Sequence, residues 1–392
     1  MVEVDLASGE DAIRERLERS IHRCEFALEG ESALAESPVV ELPRITVVVP
    51  TIVKRIEALE KCLASLERLD YENYEVVIVD NRGEVPADDP LPSILGLRQG
   101  FRVVREGRPG ASAARNRGAA ESDGEVIAFT DDDVQVDLNW LRAIGTRMME
   151  HPHLDVVSGL ILPMELESAA QIWFERYYGG FGAERTYVAV HLERVHSRFA
   201  LTRGSRISIR DVAGSLVGES SVYGIGAYVA GANMAFRKST LDRLGGFDPD
   251  LGIGTAAQGG EDLDAIIRIL WSGGTMAYEP RAFVRHQHRR DYEGLKSQLH
   301  GYGVGYTAML SSLIIGDPRH LAGILSQGLP AAKRRVKLGW TQLFGKKSTM
   351  DADKLDAYQI PPNLVLAEVL GYVMGPWAYV KSRKASRKVS NG

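Results

Sequence analysis

The chain is poor in cysteine. Its 392 residues include two, Cys24 and Cys62, far apart and with no Cys-x-x-Cys or cysteine–histidine spacing. That scarcity excludes a disulfide framework and gives no sign of a structural zinc site, so a reducing, cytoplasmic setting is the default expectation. A secretory leader is not expected either, because "MVEVDLASGEDAIRERLERS" begins with acids where a leader needs a basic start and an apolar segment. Unbroken apolar runs of membrane-spanning length are missing too. The nearest approach, "NLVLAEVLGYVMGPWAYV" at 363–380, is interrupted by Glu368, Gly371, Gly375 and Pro376. Internal repeats and low-complexity tracts are also absent. What is present, 44% hydrophobic and 25% charged residues, describes a globular chain able to bury a large core: one α/β domain with additions, or two domains.

The net charge of −5 conceals a division. From Arg281 onward there are 18 Lys and Arg against 7 Asp and Glu, which leaves 29 against 45 in the preceding residues. A basic tail on an acidic body points to an anionic surface as partner for the tail.

Residues 10–30, "EDAIRERLERSIHRCEFALEG", carry Ile13, Leu17, Ile21 and Phe26 at helical spacing, so an amphipathic N-terminal helix and a linker to about Pro43 are expected. "RITVVVPT" then reads as a fully buried parallel strand, "IEALEKCLASLERL" as a helix with Ile56, Leu59, Leu63, Leu66 and Leu69 on one face, and "YEVVIVDN" as a second buried strand. "FRVVRE", "GASAARNRGAAES" and "EVIAFTDDD" continue the alternation of strand, helix and strand. This order implies a parallel sheet with right-handed crossovers, whose ligands bind beyond the carboxyl ends of the strands. Asp80 and the triplet Asp131, Asp132 and Asp133 fall at such ends. "LNWLRAIGTRMMEHP" is a further helix and "DVVSGLIL" a strand, whereas 165–225 give mixed signals. Beyond them, "YVAGANMAF" leads to a short helix, a glycine-rich loop at 252–260 and a helix with Leu263, Ile266, Ile267 and Leu270 on its core face; "TMAYEP" and "AFVRHQH" read as two strands.

Three adjacent aspartates are either a solvated turn or a site for a hard cation with oxygen ligands, and Mg²⁺ or Mn²⁺ suits one or two carboxylates plus phosphate oxygens. An EF-hand does not fit, since its sixth and twelfth loop positions fall on Val136 and Arg142. Thr51 and Arg55 follow the first strand, and Arg115 and Arg117 rise on a helix near the same edge, where guanidinium groups can offer paired donors to phosphate. "GGEDLD" sets Glu261, Asp262 and Asp264 at a helix start, either as capping acids favoured by the dipole or as a general base. His286 and His288 share one face of a strand, as ligands or as polar surface. "GYGVGY" at 301–306 follows a helix and lacks the rest of a dinucleotide fingerprint, so it reads as helix packing or a joint.

"VVVPT", "VVIVDN", "ARNRG", "AFTDDDV", "GANMAFRKSTLDRLGGFDPDL" and "GGEDLD" stand in the order and approximate spacing of the family 2 inverting glycosyltransferases with the GT-A fold, which residues 44–310 thus resemble. The resemblance implies a Rossmann-like, mostly parallel α/β sheet flanked by helices; outside it, the residues themselves suggest an N-terminal helical extension (1–43) and a helical basic C-terminal region (311–392). It implies a nucleotide-diphosphate sugar across the sheet edge, with Thr51, Arg55 and Asp80 around the nucleoside, Arg115 toward phosphate, and Asp131 and Asp132 near ribose and sugar. Asp133, with Asp131 and His286, is then expected to hold Mn²⁺ or Mg²⁺, with Asp262 as general base and Gly260 and Glu261 beside the acceptor. UDP is the expected nucleotide, and a lipid-linked or cell-envelope glycan the expected acceptor.

The tail mixes Trp340, Phe344, Trp377 and Tyr379 with Lys and Arg. It describes either helices packed on the catalytic domain or a segment at an anionic membrane surface, and the latter places the protein peripherally at the inner face of the cell membrane. Two other functions compete. A sugar nucleotidyltransferase needs a glycine-rich loop with a lysine after the first strand, which "VVVPTIVKR" does not have. A nucleic-acid-binding module acting through the tail alone leaves the acidic triplet and "GGED" unexplained.

Overall fold

In the computed structural model, residues 41–96, 98–181, 186–195, 200–327 and 360–390 are described. The expected helix at 10–30 lies outside them. The strands are β1 (Ile45–Thr51), β2 (Tyr74–Asp80), β3 (Phe101–Arg105), β4 (Val126–Phe129), β5 (Val134–Val136), β6 (Val156–Pro163), β7 (Val190–Arg194), β8 (Arg206–Asp211), β9 (Leu216–Ser221), β10 (Met234–Arg237) and β11 (Thr275–His286). The helices are α1 (Ile56–Glu67), α2 (Leu91–Leu95), α3 (Ala111–Ala120), α4 (Trp140–Glu150), α5 (Ala169–Trp173), α6 (Lys238–Leu244), α7 (Glu261–Ser272), α8 (Tyr292–Gly316) and α9 (Pro362–Ser390).

All strands join one sheet in the order β3-β2-β1-β4-β10-β6-β11-β7-β8-β9, with β5 paired to the end of β11. Across β3-β2-β1-β4 every pairing is parallel. Here the β-branched runs are buried on both faces, with Val47, Val48, Val49, Val76, Val77 and Ile78 all fully covered. Helix α1 covers one side with Leu59, Cys62, Leu63 and Leu66, while Ile56 at its start stays exposed. The other half is mixed: β10 enters antiparallel between β4 and β6, and β7, β8 and β9 form an antiparallel ribbon. Strand direction is not written in local periodicity, so the sequence showed β10 as a strand without its sense. The two strands expected at "TMAYEP" and "AFVRHQH" are one, β11, whose register against β6 slips between Glu279 and Val284 around Pro280, a residue with no N–H for the ladder.

Helix α8 runs on to Gly316, past the boundary expected at 310, and α9 lies along it. "GYGVGY" is here a helix-packing surface. A side chain at Gly303 would strike the Glu368 carbonyl, and one at Gly371 or Gly375 would meet the α8 backbone, so the two helices approach as closely as small residues allow. Pro376 sits inside α9. It leaves the Tyr372 carbonyl without its helical donor, and the Thr307 hydroxyl of α8 donates to that oxygen at 2.9 Å. Helix α8 also presses on the start of α7, where the Gly305 carbonyl occupies the space a Gly260 side chain would need.

Gly303→Val should force α9 off α8. A destabilisation of about 1–3 kcal/mol, seen as a lower thermal midpoint, and earlier proteolytic release of residues 360–390 are expected. An unchanged midpoint would contradict the close packing.

Candidate active site

Because β1, β2 and β4 are parallel, their carboxyl ends reach one edge, with Thr51 in register with Asp80. The chain leaves β4 at Thr130, whose hydroxyl donates to the Ala232 carbonyl at 3.0 Å, and the aspartate triplet makes the turn into β5. Strand β5 then pairs antiparallel with β11, opposing Val134 to His286, and Gln287 N–H donates to the Asp133 carbonyl at 3.2 Å. That register carries His286 to the triplet: its Nε2 lies 3.4 Å from Asp133 Oδ1. One donor atom each from Asp131, Asp133 and His286 falls within 4.8 Å of the others.

The charges of this edge are offset in pairs. Arg55 reaches back from beyond β1 to Asp133 Oδ2 at 2.6 Å. Thr51 donates to Asp132 Oδ2 at 2.6 Å. Arg115 was expected to face phosphate, but α3 turns it inward, and its guanidinium bridges Asp131 Oδ1, at 3.1 Å, and Glu261. With only 4% of its side chain exposed, it is a charge-balancing strut between two carboxylates. Arg117, two residues on, points outward to Glu121 at 2.8 Å.

At the start of α7, Gly260 takes a left-handed conformation (φ 87°) and the "GGEDLD" acids diverge. Glu261 is buried, with Oε1 against the Arg115 guanidinium. Asp262 is half-buried and accepts from Gly231 N–H at 2.7 Å and Leu263 N–H at 2.8 Å. Gly231 leaves room for these groups: a Cβ there would lie 2.7 Å from the Arg115 guanidinium and 3.4 Å from Asp262 Oδ2, so a larger residue would displace them. Asp264 turns into the core, where one oxygen takes Arg268 Nε at 2.7 Å and the other, Oδ1, has no partner.

Burial decides the protonation of most of these groups. It pushes Asp131 and Glu261 above the usual carboxylate range, although Arg115 pulls each the other way. It also lifts Asp132 to about 6. Asp133 is the exception, because His286 and Arg55 outweigh burial and hold its carboxyl below its ordinary value. His286 is lowered by burial, against the pull of Asp133 and Asp131, which favours the neutral imidazole a metal needs. His288 is engaged elsewhere, 2.7 Å from Glu175, with Phe174 packed on its ring.

Asp80 ends β2 as expected, but both its oxygens accept from Arg82, at 2.8 and 2.9 Å. The sequence signal for Arg82 was its place two residues after Asp80; Gly231 had no signal beyond its place in "AGANM". Glu175 and Phe181, whose ring centroid lies 4.6 Å from that of His286, come from the segment in which no motif could be read.

The fold is an α/β sheet of the GT-A type, with an acidic, histidine-bearing site at the carboxyl ends of its parallel strands. Residues 46–189 match the model for Glycosyl transferase family 2. Over 171 residues it is 26% identical to the glucosyl-dolichyl phosphate glucuronosyltransferase of Haloferax volcanii, covering 43% of this chain and 53% of that one. Over 246 residues it is 26% identical to the pre-mycofactocin glycosyltransferase of Mycobacterium tuberculosis, covering 62% and 43%. The chain thus spans about half the length of the curated relatives it matches. Among solved structures, the mannosyltransferase PcManGT from Pyrobaculum calidifontis in complex with GDP-Man and Mn²⁺ superposes with a TM-score of 0.49 at 18% identity, covering 91% of this chain and 93% of the other.

Asp264 gives the site a pH signature. Burial, helped by Asp248 and opposed by Arg268, raises its carboxyl to about 6 in the fold, against roughly 3.9 in the unfolded chain. A raised value means that the bound proton stabilises the fold below about pH 4 and that this contribution is lost as the pH rises through about 6. Relative to Asp264→Asn, the wild type should therefore lose on the order of 2 kcal/mol between those pH values in denaturant unfolding. A pH-independent difference would refute the assignment.

Proposed function

We propose that this protein is an inverting, metal-dependent glycosyltransferase. It moves a sugar from a nucleotide-diphosphate donor, UDP first among the candidates, to a hydroxyl of a lipid-linked or cell-envelope glycan. Its place of work is the inner face of the cell membrane, where it acts as a peripheral protein. One observation carries the reading: Asp131, Asp133 and His286 converge within 4.8 Å at the sheet edge, while Arg115 ties Asp131 to the helix start that bears Asp262.

Two carboxylates and an imidazole suit Mn²⁺ or Mg²⁺, and His286 Nδ1 is buried without a protein partner. Bound there, the ion supplies Lewis-acid stabilisation for the charge growing on a departing diphosphate. Arg55 currently occupies Asp133, so in this reading it exchanges that carboxylate for the donor when metal and nucleotide arrive. Asp80, held flat by Arg82, keeps lone pairs for ribose or base, and Thr51 and Asp132 form the adjoining wall. Arg115 contributes charge balance at Asp131. Glu261 and Gly260 act on the acceptor side through the position they give to the start of α7.

Inversion requires the acceptor oxygen to bond the anomeric carbon from the face opposite the leaving diphosphate. Its proton passes to Asp262, whose carboxylate is oriented by Gly231 N–H and the first turn of α7. The name of the Haloferax relative, which carries a glucosyl-dolichyl phosphate, supports a lipid-linked acceptor for this chain.

Two substitutions separate the roles. Asp262→Asn should reduce transfer by about 10²-fold or more, while donor affinity with Mn²⁺ stays near wild type in calorimetry. Asp133→Ala should weaken donor binding itself and abolish its dependence on the metal. Equal loss of donor binding in both would refute the division, and transfer retained by Asp262→Asn would refute the base. A thermal-shift screen of nucleotide sugars, with and without Mn²⁺, identifies the donor.

A further inference from the structure

Helix α9 has two faces of opposite chemistry. One, through Leu364, Ala367, Gly371, Gly375 and Ala378, is buried. The other bears Leu366, Val369, Leu370, Val373, Trp377 and Val380, all exposed, with Val373 at 76% and Trp377 at 62%. Spacings of three and four residues keep these side chains in one stripe, about 21 Å long at the rise of an α-helix. No charge interrupts it. Glu368 is the sole acid on α9, and it is buried, accepting from Tyr372 and, at 3.4 Å, from Tyr177. Where the stripe ends the exposed face turns basic, with Lys381, Lys384 and Arg387, and Lys381 Nζ lies 5.3 Å from the centre of the Trp377 ring.

We propose that this face is an in-plane anchor for an anionic lipid surface. The stripe enters the boundary between headgroups and acyl chains, Trp377 sits at headgroup level, and the basic turn meets lipid phosphates. Charge complementarity selects this occupant. The cations of α9 have no exposed acid on their own helix, so an anionic surface is their complement, and a second copy pairing stripe to stripe brings no acid from its α9. Among the described residues no helix is long and apolar enough to cross a membrane, so the helix lies on the surface. The proposal deepens the membrane placement given above and is independent of the donor site.

The test uses the full chain and sucrose-loaded vesicles, either phosphatidylcholine alone or phosphatidylcholine with phosphatidylglycerol. Wild type should sediment with the anionic vesicles, and about tenfold or more less strongly without the anionic lipid or at high salt. Val373→Asp/Trp377→Asp should lose binding about tenfold or more, and Lys381→Gln/Lys384→Gln/Arg387→Gln should lose the preference for anionic lipid. The anchor is refuted if wild type ignores the vesicles or if the stripe variant binds as wild type does. It is equally refuted if the stripe variant only converts a dimer to a monomer in sedimentation velocity, which would assign the face to a second copy. The Mn²⁺-dependent thermal shift with nucleotide sugar should be the same in all variants; its absence from a wild type that binds vesicles would refute the transferase reading and leave the anchor standing.

Discussion

Five carboxylates, Asp131, Asp132, Asp133, Glu261 and Asp262, gather at one edge of the sheet, and holding them together is the constraint on which the rest of the site depends. Asp133 and Glu261 are buried and the other three half-buried, and like charges gathered this closely oppose their own ionisation. Arg115 sits between Asp131 and Glu261, Arg55 covers Asp133, and backbone N–H groups at Gly231 and Leu263 take Asp262. The sheet supplies the geometry: parallel strands end together, and the pairing of β5 with β11 brings His286 to the same place. A protein that left these acids unpaired would neutralise them by protonation. Here Arg55, with 37% of its side chain exposed, is the more accessible of the two arginines, and Arg115, at 4%, the buried one.

The C-terminal helices matter to this edge although they lie outside the family match. Helix α8 abuts Gly259 and Gly260, immediately before the acids of α7, and α9 is fitted against α8 through its own glycines. The start of α7 is therefore braced from behind. The helix pair thus abuts the turn that bears Asp262 with one surface and exposes an apolar stripe on another.

Much of the parallel half was legible from sequence, because a strand buried on both faces leaves an unmistakable run such as "VVVP" or "VVIVD", and the following helix shows its period in Leu59, Leu63 and Leu66. The triplet and Asp80 could be placed at strand ends for the same reason. Pairing choices were less legible: that Arg115 would face both Asp131 and Glu261 depends on helix rotation and on a contact 146 residues apart in sequence, and that Asp264 would turn into the core depends on the rotation of α7. The segment 165–225 stayed opaque because its described residues form short helical turns and an antiparallel ribbon, with no period long enough to read. The apolar stripe of α9 was hidden by its glycines: in sequence they looked like interruptions of a hydrophobic run, whereas in the fold they are the other face.

The central claim is that Asp131, Asp133 and His286 together hold a divalent ion. Pulsed electron paramagnetic resonance of Mn²⁺ bound to the full chain reads this directly, since a coordinated imidazole adds a nitrogen coupling to the manganese signal. The account predicts a single Mn²⁺ site with a nitrogen coupling that disappears in His286→Ala, and loss of the site in Asp133→Ala. A bound ion without nitrogen coupling, or one unaffected by either substitution, would contradict it.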